Sequence, residues 1–140
     1  MKVSTRNQLK GTISAVYEGA INSEIEISIS ESVKIVAVIT NGAVKNLDLK
    51  VGSTAYALIK SSNVIIGIDF PKISARNIFA GRIISITEGV VNDEIELTLG
   101  NGITITAIIT KTSVKNLELS VGKEAYAIVK ASSVIVGVDD

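Results

Sequence analysis

The chain is one unit written twice. Set against itself at an offset of 70 positions, residues 4–69 align with residues 74–139 without a gap, and about half of the paired positions are identical, far above chance. Arg6-Asn7 pairs with Arg76-Asn77, Glu18-Gly19 with Glu88-Gly89, Val44-Lys45-Asn46-Leu47 with Val114-Lys115-Asn116-Leu117, and Ala55-Tyr56-Ala57 with Ala125-Tyr126-Ala127. The domain organisation is therefore read as a module over 1–69, a junction at 70–73 and a second module over 74–140. The junction, Phe70-Pro71-Lys72-Ile73, holds the sole Pro of the chain and is too short and too apolar for a flexible tether, so the copies are expected to pack closely. A unit of about 65 residues buries little surface by itself, and both duplication and oligomerisation would help to cover it.

Within one copy the hydrophobic period sets the elements. Residues 9–17 and 21–29 alternate apolar and polar, the pattern of half-exposed strands. Residues 33–40 are apolar at successive positions, as expected of a strand covered on both faces. In residues 41–48, Val44 and Leu47 stand three apart, which predicts a short helix ending near Lys50-Val51-Gly52. Two more strands follow, over 54–60 and 63–68, separated by Ser61-Ser62. Ile and Val make up more than a quarter of the chain, and β-branched side chains suit pleated surfaces. The order β-β-β-α-β-β in a mainly β chain predicts two tandem OB-like five-stranded antiparallel barrels, each with one short helix.

Composition then removes whole classes of function. The 14 Lys and Arg balance 14 Asp and Glu, so no global positive field draws nucleic acid or anionic membrane, and any charge-based function must be local. With no Cys and no His, disulfides, thiolate and Ser-His catalysis and nearly every transition-metal cation site drop out. No apolar run approaches a membrane span and the first residues lack a signal-peptide core, which predicts a soluble cytoplasmic protein.

Three polar clusters recur where strands meet loops: Ser4-x-Arg6-Asn7, the turn from Thr40 to Ala43, and Lys60-Ser61-Ser62. Their counterparts are Ser74-x-Arg76-Asn77, Thr110 to Ser113, and Lys130-Ala131-Ser132. Each copy thus offers an Arg, a Lys, several hydroxyls and the first amides of a short helix, a donor set without acidic members that suits an anion. Taken singly, these residues read equally as solvated rim charges and turn caps.

The string Ser74-Ala75-Arg76-Asn77 with Gly81, the Ile39-Thr40 and Ile109-Thr110 turns leading to Val44 and Val114, and Lys60-Ser61-Ser62-Asn63-Val64 closely resemble molbindin domains, the molybdate-binding Mop modules. Nearly the whole chain is covered, and two modules in tandem resemble the cytoplasmic di-Mop molybdate-binding proteins. The resemblance implies OB-like modules, a homotrimer and oxyanions held at interfaces between modules. It implies molybdate ligation by Ser4, Arg6, Thr40, Lys60 and Ser61, and by Ser74, Arg76, Thr110, Ser113, Lys130 and Ala131, with Ala43 at the position of Ser113. Ala131 can offer only its backbone N–H. Thr5 stands where Ala is usual in the family, and Asn63 and Ser133 stand where an acidic residue is frequent.

Molybdate is a fully deprotonated dianion at neutral pH, so a donor-only site satisfies its oxygens, whereas hydrogen phosphate carries a proton that wants an acceptor. Binding and storage of molybdate, and of tungstate, is the expected function, with no turnover, no organic cofactor and no cationic metal. A nucleic-acid-binding OB-fold would show exposed aromatics on its second and third strands. This chain has two Phe and three Tyr in all, and its second strands carry Glu24-x-Glu26 and Glu94-x-Glu96. Those paired carboxylates lack any catalytic companion and read as a solvated strand face. A sensor module acting with a separate regulator or transporter is the remaining alternative, and neither a recognition helix nor a P-loop motif accompanies the modules. The copies also differ in a compensating way: Ala43 and Ser61 in the first face Ser113 and Ala131 in the second. If each site drew its turn and its lysine segment from one copy, every site would have one of these hydroxyls. If it drew them from different copies, one class would have two and the other none.

Overall fold

A computed structural model describes residues 1–69 and 72–139. The first copy contains β1 (Asn7–Glu18), β2 (Asn22–Ser28), β3 (Lys34–Thr40), α1 (Asn41–Asn46), β4 (Thr54–Ile59) and β5 (Ile65–Gly67). The second contains β6 (Asn77–Glu88), β7 (Asn92–Gly100), β8 (Ile103–Thr110), α2 (Lys111–Asn116), β9 (Glu124–Val129) and β10 (Ile135–Gly137). The mainly β, OB-like element order expected from the sequence is the one observed.

The units that fold are not the copies that repeat. One compact unit consists of residues 1–59 with 130–139, the other of residues 60–129. Accordingly one sheet runs β10-β4-β1-β2-β3 and the other β5-β9-β6-β7-β8: each copy gives its last strand to the unit built around the other. Ile135 pairs with Leu58 and Gly137 with Tyr56, while Ile65 pairs with Ile128 and Gly67 with Tyr126. In the first unit the exchanged segment is pinned by Tyr56, whose hydroxyl donates to Asp139 Oδ2 at 2.8 Å. That bond holds the Asp139 carboxyl below the usual carboxylate range. The repeated modules read from the sequence span 1–69 and 74–140, while the compact units divide after residues 59 and 129; the junction residues Phe70 and Pro71 lie outside the described residues.

Each unit is organised by its long first strand. The first half of β1 pairs with β4, Asn7 to Thr12 against Ile59 to Thr54, and the second half with β2. The change of partner falls at Thr12, followed by a register shift between Ile13 and Ala15, where a bulge bends the strand and increases its twist. Gly81, the counterpart of Gly11, shows why the bend needs glycine: a Cβ there would stand 2.8 Å from the Thr98 carbonyl oxygen. Beneath the bend lie Ile13, Ile25, Ile27, Ile35 and Ile59, and in the other unit Ile83, Ile95, Leu97, Ile105 and Val129, all essentially inaccessible.

Three sequence expectations are corrected in detail. The strand over 33–40 was expected to be covered on both faces, but Val36, Val38 and Ile39 are only half-buried within the unit. The helix expected over 41–48 ends at Asn46. Asp48 turns into the left-handed region (φ 50°), and its N–H donates to Lys45 O while that of Leu49 donates to Val44 O at 3.0 Å. This C-terminal cap closes the helix because it sends Leu49, 6% exposed, into the core. Gly52 (φ 94°) serves the following turn instead. Finally, the strand expected over 63–68 is shortened, because residues Ser61–Asn63 form one turn of 3-10 helix, with Asn63 N–H bonded to Lys60 O at 2.9 Å. Ala131–Ser133 repeats it.

Candidate functional site

The exchange redistributes the candidate residues. Ser4, Arg6, Thr40, Ala43, Lys130 and Ala131 belong to the first unit, and Lys60, Ser61, Ser74, Arg76, Thr110 and Ser113 to the second. Each unit therefore carries one full set of six positions, but the Lys-x-Ser segment comes from the other copy. The 3-10 turn beginning at Ala131 packs beside β3, and the turn beginning at Ser61 packs beside β8. Lys60 and Lys130 are exposed just ahead of these turns, in extended conformation, while Ser61 and Ala131 are each 7% exposed.

Ser4, Arg6, Ser74 and Arg76 are exposed at the entrances of β1 and β6. The next residue fixes each entrance: Asn7, 3% exposed, donates from Nδ2 to Ile59 O at 3.2 Å, and Asn77 is 1% exposed. A buried amide is costly unless bonded, so this contact sets where the preceding arginine emerges. Thr5 lies between Ser4 and Arg6 with its Oγ1 buried and without a hydrogen-bond partner among the described residues. The second copy has Ala75 there and avoids the problem.

Thr40 and Thr110 are helix N-caps. Thr40 Oγ1 accepts from Ala43 N–H at 3.1 Å and Thr110 Oγ1 from Ser113 N–H at 3.1 Å, and Thr110 Oγ1 also donates to Ser113 Oγ at 2.8 Å. The amides of Asn41 and Lys111 donate to Ile21 O and Val91 O at 3.0 Å each. The amides of Asn41 and Ala43, and of Lys111 and Ser113, are thus committed to the protein, so each first turn offers fewer backbone donors than the sequence alone suggests.

Sequence reasoning missed what supports these turns. In the second unit Asp93, its side chain 3% exposed, receives Lys111 Nζ at 2.8 Å and Gly89 N–H at 3.2 Å, and Glu88 lies 3.4 Å from the same ammonium. The hydrogen bond from Lys111 holds the Asp93 carboxyl below the usual carboxylate range, and the same bond raises the Lys111 ammonium above its ordinary value. In the first unit the pair is neutral: Ser23 Oγ donates to Asn41 Oδ1 at 2.6 Å, and Asn41 Nδ2 donates to Gly19 O at 2.9 Å. Both solutions tie the residue after the N-cap to the start of the second strand. The signal was present in the aligned copies, where Ser23 with Asn41 changes jointly to Asp93 with Lys111.

A lowered carboxyl contributes stability above its unfolded pKa and loses it as pH falls through the folded one. The raised ammonium loses its contribution only as pH rises through its own elevated pKa. Lys111→Ala is therefore expected to lower the Tm at neutral pH, with the difference from the parent shrinking as acid protonates Asp93. The double change Asp93→Ser with Lys111→Asn, which copies the neutral pair, is expected to restore most of the loss. Thermal unfolding across pH 2–8 measures both.

Two OB-like units, each carrying one set of the six candidate positions, define a tandem-module β protein. The TOBE-domain family model matches residues 3–66 and again residues 73–136, and the chain belongs to that family, in two tandem copies. It is 41% identical over 140 residues to the molybdenum transport protein ModE of Herbaspirillum seropedicae, which covers 99% of this chain and 52% of that protein. It is 42% identical over 137 residues to the molybdenum-pterin-binding protein MopA of Rhodobacter capsulatus, covering 96% of this chain and 52% of MopA. The chain thus spans about half the length of these curated relatives. A crystal structure of ModG, described as a cytoplasmic molybdate-binding protein and holding molybdate, superposes with a TM-score of 0.95 at 41% identity, covering 99% of this chain and 100% of ModG. These similarities bear out the resemblance to tandem Mop modules.

Among the described residues no group of three acidic side chains is placed to hold a metal cation, and no helix is long and apolar enough to cross a membrane.

Proposed function

We propose that this chain binds molybdate, and tungstate with it, reversibly and without turnover, as a cytoplasmic store or buffer. The observation that carries this reading is that each folded unit collects one set of donors, an Arg, a Lys and cap hydroxyls, with no carboxylate among the six positions. Such a set answers the four oxygens of a dianion and offers little to a ligand that must donate a proton. Similarity over the whole of ModG supports the same ligand.

In this reading the ligands are Ser4, Arg6, Thr40, Lys130 and the Ala131 amide in one unit, and Ser74, Arg76, Thr110, Ser113, Lys60 and Ser61 in the other. Ala43 shapes the turn without a free donor, since its N–H is held by Thr40. The exposed Ile21, Val90 and Val91 at the strand turns, 77%, 95% and 69% accessible, support assembly as a homotrimer that covers them and completes the sites. Neither nucleic acid, membrane nor organic cofactor has a role.

Calorimetric titration of the full chain with molybdate, tungstate, sulfate and phosphate tests the proposal. Heat with molybdate and tungstate, and much weaker binding of phosphate, is expected. No heat with molybdate, or equal affinity for phosphate, removes it.

A further inference from the structure

The fold sorts the two Asn-Gly pairs of this chain by reactivity: we propose that Asn101-Gly102 is a site of spontaneous deamidation, with water as the co-reactant, and that the structure holds Asn41-Gly42 unreactive. Only Asn41 and Asn101 precede a glycine. No side chain shields a glycine nitrogen, so these are the two asparagines whose side-chain carbonyl carbon the next backbone nitrogen reaches with least hindrance. In the reaction the Gly102 nitrogen gives up its proton to solvent base and bonds to Asn101 Cγ. The Cγ–Nδ2 bond breaks, and the side-chain nitrogen leaves as ammonia. Water then opens the succinimide ring at either carbonyl carbon, breaking that carbon's bond to the Gly102 nitrogen. The products are aspartate and isoaspartate, with one water consumed and one ammonia released per site and no change of oxidation state.

Asn101 sits where the ring can form. It and Gly102 are the two residues of the turn between β7 and β8, both exposed, with Gly100 paired to Ile103 below them. Asn101 lies in the left-handed region (φ 53°), flanked there by Gly100 (92°) and Gly102 (75°). Ring closure requires the peptide between Asn101 and Gly102 to rotate out of this turn, so the cost of local opening sets the rate. That cost is small. A Cβ on Gly100 or Gly102 would meet nothing within 4 Å, and the Asn101 side chain has no hydrogen-bond partner among the described residues.

Asn41 is held at three points. Its N–H donates to Ile21 O at 3.0 Å, its Nδ2 to Gly19 O at 2.9 Å, and its Oδ1 accepts from Ser23 Oγ at 2.6 Å. Asn41 also opens α1, so rotating the peptide that follows it would unwind the turn capped by Thr40. The amide nitrogen that must leave as ammonia is the group that ties the helix to Gly19. The lock thus guards the helix start in the donor cluster of the first unit, whereas the reactive pair lies at the opposite end of β8 from Thr110.

The full chain, kept folded in warm, mildly alkaline buffer and then digested for mass spectrometry, tests the proposal. Asn101 is expected to gain about 1 Da, and to do so at least about 10-fold faster than Asn41, whose hydrogen bonds must break first. Labelling by an isoaspartyl methyltransferase marks the isoaspartate fraction. In urea both pairs are expected to convert at similar rates, because the fold alone separates them. Asn101→Ser is expected to remove the fast conversion, and Ser23→Ala to speed conversion at Asn41, with circular dichroism checking that each variant is folded. An Asn101 that stays intact in the folded chain while the chain in urea converts overturns the proposal. So do equal rates at the two sites in the folded chain, or the same difference persisting in urea. An Asn41 rate that Ser23→Ala leaves unmoved overturns the role given to the Ser23 bond. None of these readouts involves molybdate, so the outcome is independent of the oxyanion reading.

Discussion

Replacing Arg6 or Lys60 by Ala is expected to weaken molybdate binding about 10- to 100-fold, the effect of removing one charge-assisted contact to a dianion. The two residues come from the same copy but lie in different folded units. Arg6→Ala should therefore act on binding at the unit that holds Lys130, and Lys60→Ala on binding at the unit that holds Arg76. A general loss of positive charge would act on both units equally and would fade with added salt. Lys50→Ala supplies that comparison, because Lys50 is exposed, sits 3.5 Å from Asp48 and is none of the six positions. Calorimetry at two salt concentrations separates the cases, and an unchanged titration for Arg6→Ala and Lys60→Ala returns both residues to the solvated rim.

Ile95→Ala is expected to cost about 2–5 kcal/mol of stability, measured by urea denaturation. Ile95 is wholly inaccessible on β7, where it pairs with Ile86 on one side and Ala107 on the other. Closely packed neighbours cannot collapse into the space a truncated side chain leaves, so the lost transfer energy is joined by that of a cavity. Ile84, 41% exposed on β6, should respond by no more than about 0.5 kcal/mol when changed to Ala. Equal losses at the two positions would contradict the assigned strand faces.

Much of this architecture was legible in the residues. Alternation in residues 9–17 and 21–29 located β1 and β2 because one face of each strand is buried and the other solvated, a contrast that leaves a period of two. Helix α1 was placed at the right start, since Thr40 caps it locally. Its end was not, because Asp48 enters the left-handed region only to let Leu49 reach the core, a demand made by tertiary packing. The candidate donors were legible as types, while the commitment of their helix amides was not: Ile21 O and Val91 O, which hold two of them, lie far away in sequence.

The repeat, the mainly β order and the identity of the donors were determined by the sequence alone, because each rests on local pattern or on matching positions. Which copy completes which unit was decided only in three dimensions. The last strands, Ile65-Ile66-Gly67 and Ile135-Val136-Gly137, are nearly interchangeable. So are the strands that receive them, Ala55-Tyr56-Ala57 and Ala125-Tyr126-Ala127. Pairing within a copy and pairing across copies form the same backbone bonds and bury nearly the same side chains, so no local preference distinguishes them. The path of the folded chain makes the choice, and with it assigns Ser61 and Ser113 to one unit.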